Sequence, residues 1–109
     1  MTRVRKYRNE PTVVDGIRFA SKAEARRYSD LVLLQRGREI ANLTTQPKYP
    51  LVVNGHKVCT YIADFAYLTK QGMPVTEDVK GVETRDFKIK AKLFRALMGR
   101  DVVVIGGSK

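Results

Sequence analysis

The run YIADFAYL at residues 61–68 constrains the fold more than any other segment of this chain. Its residues are apolar on both faces of an extended strand, with Asp64 as the one exception. Such a run is typical of a strand at the centre of a sheet that is covered on both sides, because an exposed face would carry polar residues. We therefore predict an α/β fold whose central strand is interrupted by a carboxylate.

Turn and capping signals predict the elements that precede and follow this run. A DG pair at residues 15–16 and an NG pair at 54–55 each lie between short β-prone pieces, which predicts two hairpins. Ser21 and Glu24 have the spacing of a capping box, so a helix is expected to begin there. Gly37 is the expected end of that helix.

The remaining elements complete one domain, predicted to cover residues 12–109. The length of 109 residues leaves no room for a second independent core. From Ser21 onward we predict a helix, three strands, a helix and a strand. The predicted pieces are an extended segment at 42–46, strands at 49–53, 57–61, 75–82 and 102–105, and a second helix at 86–98.

The charge of the chain indicates the kind of partner that it binds. Lys and Arg number 21 against 11 Asp and Glu, for a formal net charge of +10 at pH 7. Such an excess favours a polyanion, with nucleic acid first and an anionic membrane surface second. The apolar runs are far shorter than a membrane span and no secretion signal is evident, so we expect a cytoplasmic protein without a membrane partner. The single cysteine excludes an intramolecular disulfide and a thiolate-rich zinc site.

Residues 1–11 are predicted to form a flexible basic arm ahead of the domain. They carry four positive charges in the first eight positions and little to bury, so contact with a phosphate backbone is expected. An ordinary frayed terminus is the alternative. The polar side of the second helix is a further basic surface. The candidate DNA contacts on these two segments are Arg3, Arg5, Lys6, Arg8, Lys88, Lys92 and Arg95.

Acidic residues are concentrated where burial should exclude them. Residues 64–86 contain five of the eleven acids of the chain. Alternation along the strand at 75–82 places Asp78 and Lys80 on one face and Glu77 on the other, towards solvent. Buried carboxylates are unfavourable unless they are paired or bind a metal, and a carboxylate pocket alone repels a phosphodiester. Mg²⁺ or Mn²⁺ resolves both difficulties, because each takes oxygen ligands and binds phosphate.

Two sets of residues resemble known nucleases. Asp64, followed after a turn by Asp78-Val79-Lys80, resembles the signature of the PD-(D/E)XK superfamily, with Ala63 where proline often occurs. The predicted order of elements resembles the restriction-endonuclease-like core of that superfamily, a central mixed sheet flanked by helices. Five segments within about residues 12–105 are similar to a family of small phage-encoded endonucleases, long catalogued as a domain of unknown function and related to Holliday junction resolvases: SKAEARRY, LTTQPKYPL, YIADFAY, TEDVKG and DFKIKAKLF.

The resemblance implies a Mg²⁺- or Mn²⁺-dependent endonuclease that hydrolyses DNA phosphodiester bonds and leaves 5′-phosphate and 3′-hydroxyl ends. Asp64, Asp78 and the backbone carbonyl of Val79 would hold the metal. Glu24 would bind a metal or hold its water, and Lys80 would position the attacking water. No organic cofactor is implied.

The implied substrate is branched DNA, such as a Holliday junction, during phage recombination or genome processing in the bacterial cytoplasm. Symmetric cutting of a junction needs two active sites, which favours a homodimer because a domain of this size carries one. Two other functions stay open: a nicking or repair-type nuclease on duplex DNA, and a non-catalytic basic DNA-binding module. Cleavage products from a junction and from a linear duplex distinguish the two nucleases, and metal dependence distinguishes the binding module.

Several candidate residues also have a purely structural interpretation. Glu24 could serve only in the capping box, and Asp78 with Lys80 could form a surface salt bridge. Lys90 falls inside the apolar arc of the second helix, where it is either an active-site lysine or a side chain that extends to solvent. For Gln46 and Glu77 we expect at most a supporting position beside the site.

Overall fold

The computed structural model of the chain describes residues 10–106. Residues 1–9 and 107–109 lie outside this range, and with them most of the predicted arm. The predicted DNA contacts of Arg3, Arg5, Lys6 and Arg8 therefore lie outside the described residues. Within residues 10–106, no helix has the length and apolar character needed to cross a membrane.

The described chain contains two helices and eight strands. Both predicted hairpins are confirmed, and the two central residues of each turn have positive φ, between 50° and 80°, as a two-residue turn with the twist of its strands requires. Both predicted helices are also confirmed. The elements are β1 Thr12–Val14, β2 Ile17–Phe19, α1 Lys22–Arg36, β3 Ile40–Thr45, β4 Lys48–Val53, β5 His56–Ile62, β6 Phe65–Thr69, β7 Pro74–Lys80, α2 Arg85–Met98 and β8 Val103–Gly106.

A four-stranded mixed sheet lies at the centre of the molecule, which confirms the α/β prediction. Its strand order is β3-β6-β7-β8. Strands β3, β6 and β7 are antiparallel to one another in that order, and β8 is parallel to β7 because α2 carries the chain back between them. Strands β4 and β5 form a separate two-stranded sheet.

The prediction of one continuous strand over residues 61–68 is wrong. Strand β5 ends at Ile62 and β6 begins at Phe65, so the chain passes from one sheet to the other at Ala63 and Asp64. From α1 onward the order is therefore a helix, five strands, a helix and a strand. Both faces of the run are apolar because its two halves pack in different places: Tyr61 and Ala63 belong to the core under α2, and Phe65 belongs to the core under α1.

Two segments connect the sheets, one at residues 46–47 and one at residues 63–64. They lie side by side and are hydrogen-bonded to each other. The N–H of Ala63 donates to the Pro47 carbonyl at 3.1 Å, and the N–H of Gln46 donates to the Asp64 carbonyl at 2.9 Å. Gln46 has a φ of 51°, in the left-handed region that a residue with a side chain rarely adopts. The strand pairs β3–β6 and β4–β5 therefore form one bent ribbon, with Asp64 at the bend.

Strand β7 is covered on both faces by the two cores. Val79 packs in the core under α1, whereas Asp78 contacts Tyr61 of the core under α2. The predicted alternation is confirmed, but the expectation that Glu77 faces solvent is wrong. Glu77 is 1% exposed, because the face of β7 opposite Asp78 is covered by α1 and not by water.

Candidate functional site

Asp64 and Asp78 meet where the bent ribbon contacts β7. The backbone N–H of Asp64 donates to the Glu77 carbonyl at 3.1 Å. In return, the N–H of Val79 donates to Asp64 Oδ2 at 2.7 Å. These two bonds fix both the backbone and the carboxylate of Asp64 against β7, so the two acids that the sequence placed in separate segments share one location.

The Asp78 carboxylate is buried and carries one hydrogen bond from a tyrosine. Asp78 is 2% exposed, and its Oδ2 accepts a hydrogen bond from the hydroxyl of Tyr61. Burial, together with the neighbouring Asp64, raises the pKa of Asp78 to about 7, although the Tyr61 hydrogen bond acts in the opposite direction. A buried carboxylate that interacts with a second, half-buried one favours a proton or a cation between them.

Glu24 lies within electrostatic range of the same location. Burial raises its pKa and the charge of Asp64 raises it further, while the hydrogen bond from the Ala20 N–H and the charge of Lys80 lower it. Glu24 also takes part in the helix cap: Ser21 Oγ accepts from the Glu24 N–H at 3.1 Å, and Glu24 Oε1 accepts from the Ala20 N–H at 3.4 Å. The capping and site interpretations of this residue are therefore compatible.

Lys80 lies between the carboxylates and α2. Its Nζ is 3.9 Å from Asp78 Oδ1 and 4.8 Å from the centre of the Phe87 ring. The two groups form an ion pair, as the structural interpretation expects, but it does not join two surface side chains because that of Asp78 is only 3% exposed. The Lys80 side chain is about one-third exposed and can also contact a ligand that approaches from solvent.

The donor set around Asp64 and Asp78 fits a hard divalent cation. Residues 10–106 contain no group of three His, Cys, Asp or Glu side chains already arranged around one point. Mg²⁺ does not need one, since it is commonly held by one or two carboxylates and keeps several waters. Asp64 and Asp78 would supply the carboxylates, and the Val79 backbone lies next to Asp64 through its N–H bond.

Three of the five acids between residues 64 and 86 do not join the site, and one of them, Glu77, lies on the opposite face of β7. Glu83 is exposed, and the Asp86 side chain is 80% exposed at the start of α2. Asp86 instead pairs with Lys90, whose Nζ is 3.5 Å away one helical turn later. Within residues 10–106, no hydrogen bond or ion pair joins Lys90 to Asp64 or Asp78. Its role in the site stays a prediction.

The other predicted residues lie at or beyond the edge of the site. Gln46 borders it through the backbone bond from its N–H to Asp64, and its side chain is exposed. The three candidate DNA contacts on α2 face solvent as predicted, and one of them also pairs with Asp101, 3.3 Å away. These three are Lys88, Lys92 and Arg95.

Tyr61, Arg27 and Tyr67 contact the acids and were not predicted from the sequence. Tyr61 donates to Asp78, and burial raises the pKa of its hydroxyl, so that it stays a donor. On the opposite face of β7, Arg27 and Tyr67 both donate to Glu77. A buried carboxylate requires a hydrogen-bond donor. Tyr61, at the start of the YIADFAYL run, carries a hydroxyl in an otherwise apolar segment, and this feature of the sequence could have identified it as the donor.

Comparison with known proteins identifies the family of the chain. No curated protein and no solved structure matches it. A family model described as "Protein of unknown function (DUF1064)" matches residues 4–103. This range includes every residue of the site and agrees with the resemblance to a family catalogued in that way. Because the match extends over most of its length, the chain belongs to the family described as "Protein of unknown function (DUF1064)".

Proposed function

We propose that the protein is a metal-dependent endonuclease of the PD-(D/E)XK superfamily that hydrolyses DNA phosphodiester bonds. The observation that carries the proposal is the convergence of Asp64, Asp78 and Lys80 at one end of a strand buried on both faces. A buried carboxylate beside a half-buried one and a lysine is unfavourable as a structural arrangement alone. The net charge of +10 supports a polyanionic substrate.

Each residue of the site has a role in this proposal. Asp64 and Asp78 hold Mg²⁺ or Mn²⁺, with Tyr61 keeping Asp78 in place through its hydroxyl. When bound, the cation supplies a Lewis acid and a more acidic water. Lys80 orients the attacking water and stabilises the negative charge that grows on the phosphate oxygens. Glu24 accepts a hydrogen bond from water at the edge of the site.

Branched DNA is the substrate that we propose, cut as a Holliday junction resolvase cuts it, during phage recombination or genome processing. The resemblance of five segments, in order, to a family of small phage-encoded endonucleases related to Holliday junction resolvases supports this substrate. The described chain offers one such site, so two copies would be needed for symmetric incision of a junction. The exposed basic residues of α2 provide contacts for the phosphates that flank the cut.

Incubation of the full chain with a labelled four-way junction tests the proposal. We expect paired incisions with Mg²⁺ or Mn²⁺ and none with a chelator, because the two carboxylates repel the phosphate when no cation separates them. Ca²⁺ should support binding without efficient turnover, since it holds its ligands in looser geometry. A linear duplex of the same sequence serves as the matched control.

Each other result points to a different function. Equal cleavage of the junction and the linear duplex would identify a nicking or repair-type nuclease. Junction binding that does not depend on metal, with no cleavage, would identify a non-catalytic binding module. Full cleavage in chelator would remove the metal from the mechanism.

Glu24→Gln is expected to separate the two roles of Glu24. The amide oxygen of Gln can still accept from the Ala20 N–H, so the melting temperature should change little. The cleavage rate should fall about 10- to 100-fold, as it does when a group that orients metal-bound ligands is lost. Thermal melts and single-turnover rates on the same preparation measure both effects. An unchanged rate would leave Glu24 with its capping role alone.

A further inference from the structure

We propose that Arg27, Glu77 and Tyr67 form a positioning cluster that holds Glu24 in register with Asp64 and Asp78. These three residues lie on the face of β7 opposite the site and touch no reacting group. The inference rests on the proposed function, since it concerns the metal that Asp64 and Asp78 would hold.

The cluster is a two-point ion pair in which the Glu77 side chain is 1% exposed and the Arg27 side chain 24% exposed. Arg27 Nε donates to Glu77 Oε1 at 2.8 Å, and Arg27 Nη2 donates to Glu77 Oε2 at 2.7 Å. The hydroxyl of Tyr67 also donates to Glu77 Oε2. Burial and the Glu77 carboxylate raise the pKa of Tyr67 to about 12, so it remains a donor. A two-point fork of this kind fixes direction as well as distance.

Stability alone does not account for this ion pair. Glu77 is buried next to the apolar cluster under α1, where Val79 and Phe65 pack. Replacement of a buried ion pair by apolar residues of similar volume is often neutral or stabilising, because both charges must lose their water. The ion pair therefore carries a desolvation free energy that an apolar contact does not. What it provides is a fixed placement of α1 on β7.

Glu77 is connected to all three acids of the site. It is the covalent neighbour of Asp78 in β7, and its carbonyl accepts from the N–H of Asp64 at 3.1 Å. Its carboxylate holds Arg27, which follows Glu24 by three residues in α1. Residues three apart lie on the same side of a helix, so holding Arg27 also holds Glu24. Without the cluster, α1 could slide or rotate on β7 and move Glu24 away from Asp64.

The test replaces the whole cluster by apolar residues. The triple variant Arg27→Met/Tyr67→Phe/Glu77→Leu leaves no buried charge unpaired, so its melting temperature should stay close to that of the wild type. The affinity for Mn²⁺ alone, measured by calorimetry without DNA, should fall about 10- to 100-fold, as for other residues that orient metal ligands. Single-turnover cleavage at saturating Mn²⁺ should also be slower.

A matched control lies on the other side of β7. Thr76 is also fully buried and bonded to an arginine, with Arg100 Nη1 donating to Thr76 Oγ1 at 2.9 Å. Because the Tyr49 hydroxyl also bonds Thr76 Oγ1 at 2.8 Å, the control is the triple variant Tyr49→Phe/Thr76→Val/Arg100→Met, which removes a polar cluster of the same strand without touching α1. This variant should bind Mn²⁺ as the wild type does.

The possible results are distinguishable. A folded triple variant that binds Mn²⁺ with wild-type affinity would overturn the positioning role and leave the proposed function intact. A wild-type protein that binds no Mn²⁺ would overturn the proposed function itself. If the triple variant does not fold, Arg27→Lys decides, because it keeps the charge and loses the fork: weaker Mn²⁺ binding by a folded Arg27→Lys protein supports the inference, and unchanged binding overturns it.

Discussion

Asp64→Asn and Asp78→Asn are each expected to abolish DNA cleavage while the protein stays folded. In both variants the amide oxygen can still accept the existing hydrogen bond, from the Val79 N–H or from the Tyr61 hydroxyl. What is lost is the negative charge that would hold the cation. DNA binding should be retained or become tighter, because each change removes a charge that repels phosphate. Cleavage and gel-shift assays on the same four-way junction measure the two effects.

The pH dependence of stability provides an internal control for Asp78→Asn. The pKa of Asp78 rises from its usual 3.8 to about 7 on folding, so its protonated form stabilises the fold at low pH. That contribution is lost as the pH rises from about 4 to about 7. The Asn side chain does not titrate. In chelator, the melting temperature of the variant relative to that of the wild type should therefore rise between about pH 4 and about pH 7 and stay constant above that range. A constant difference would show that burial of Asp78 carries no such penalty.

Lys80→Met is expected to lower the cleavage rate about 100-fold or more, the magnitude typical of losing one group that stabilises charge in the transition state. Met keeps an apolar stem of similar length against the Phe87 ring, so packing against α2 should survive. Mn²⁺ affinity should be little changed, since the lysine is not a ligand. Single-turnover rates at saturating DNA and metal isolate the chemical step.

Lys70→Met is the matched control for Lys80→Met. Lys70 pairs weakly with Glu39, 3.9 Å away, and its side chain is 65% exposed. Its replacement removes the same charge from the chain at a position outside the site. If both variants cut at the same reduced rate, the effect belongs to the net charge of the protein, and Lys80 has no role in the chemistry.

Local signals in the sequence predicted most of the elements of the fold. The DG and NG pairs gave both hairpins, because few other residues adopt positive φ without strain. Ser21 begins α1 and Gly37 ends it, as the capping pattern indicated. The second helix begins at Arg85, one residue before the predicted start, since Thr84 is its cap.

Contacts between distant segments could not be predicted from the sequence. An apolar run does not show whether its two halves pack in one core or in two. The sequence therefore predicts one continuous strand where the chain bends at Ala63 and Asp64. Alternation placed Glu77 opposite Asp78, but it carries no information on what covers that face. The partner of Glu77 is Arg27, 50 positions away on a helix, and a fork between such residues leaves no pattern in either segment.

The bent ribbon also bears on how the two aspartates come together as the chain folds. Only 15 positions separate Asp64 from Val79, and the chain between them is a single hairpin that turns at Gly72. The entropy lost when Asp64 is brought to β7 is therefore only that of closing a short loop. Glu24 has no such advantage, because it reaches the same place only when a separate helix docks. The pair of aspartates is thus a local feature of one hairpin, and the third acid is an addition that depends on the tertiary fold.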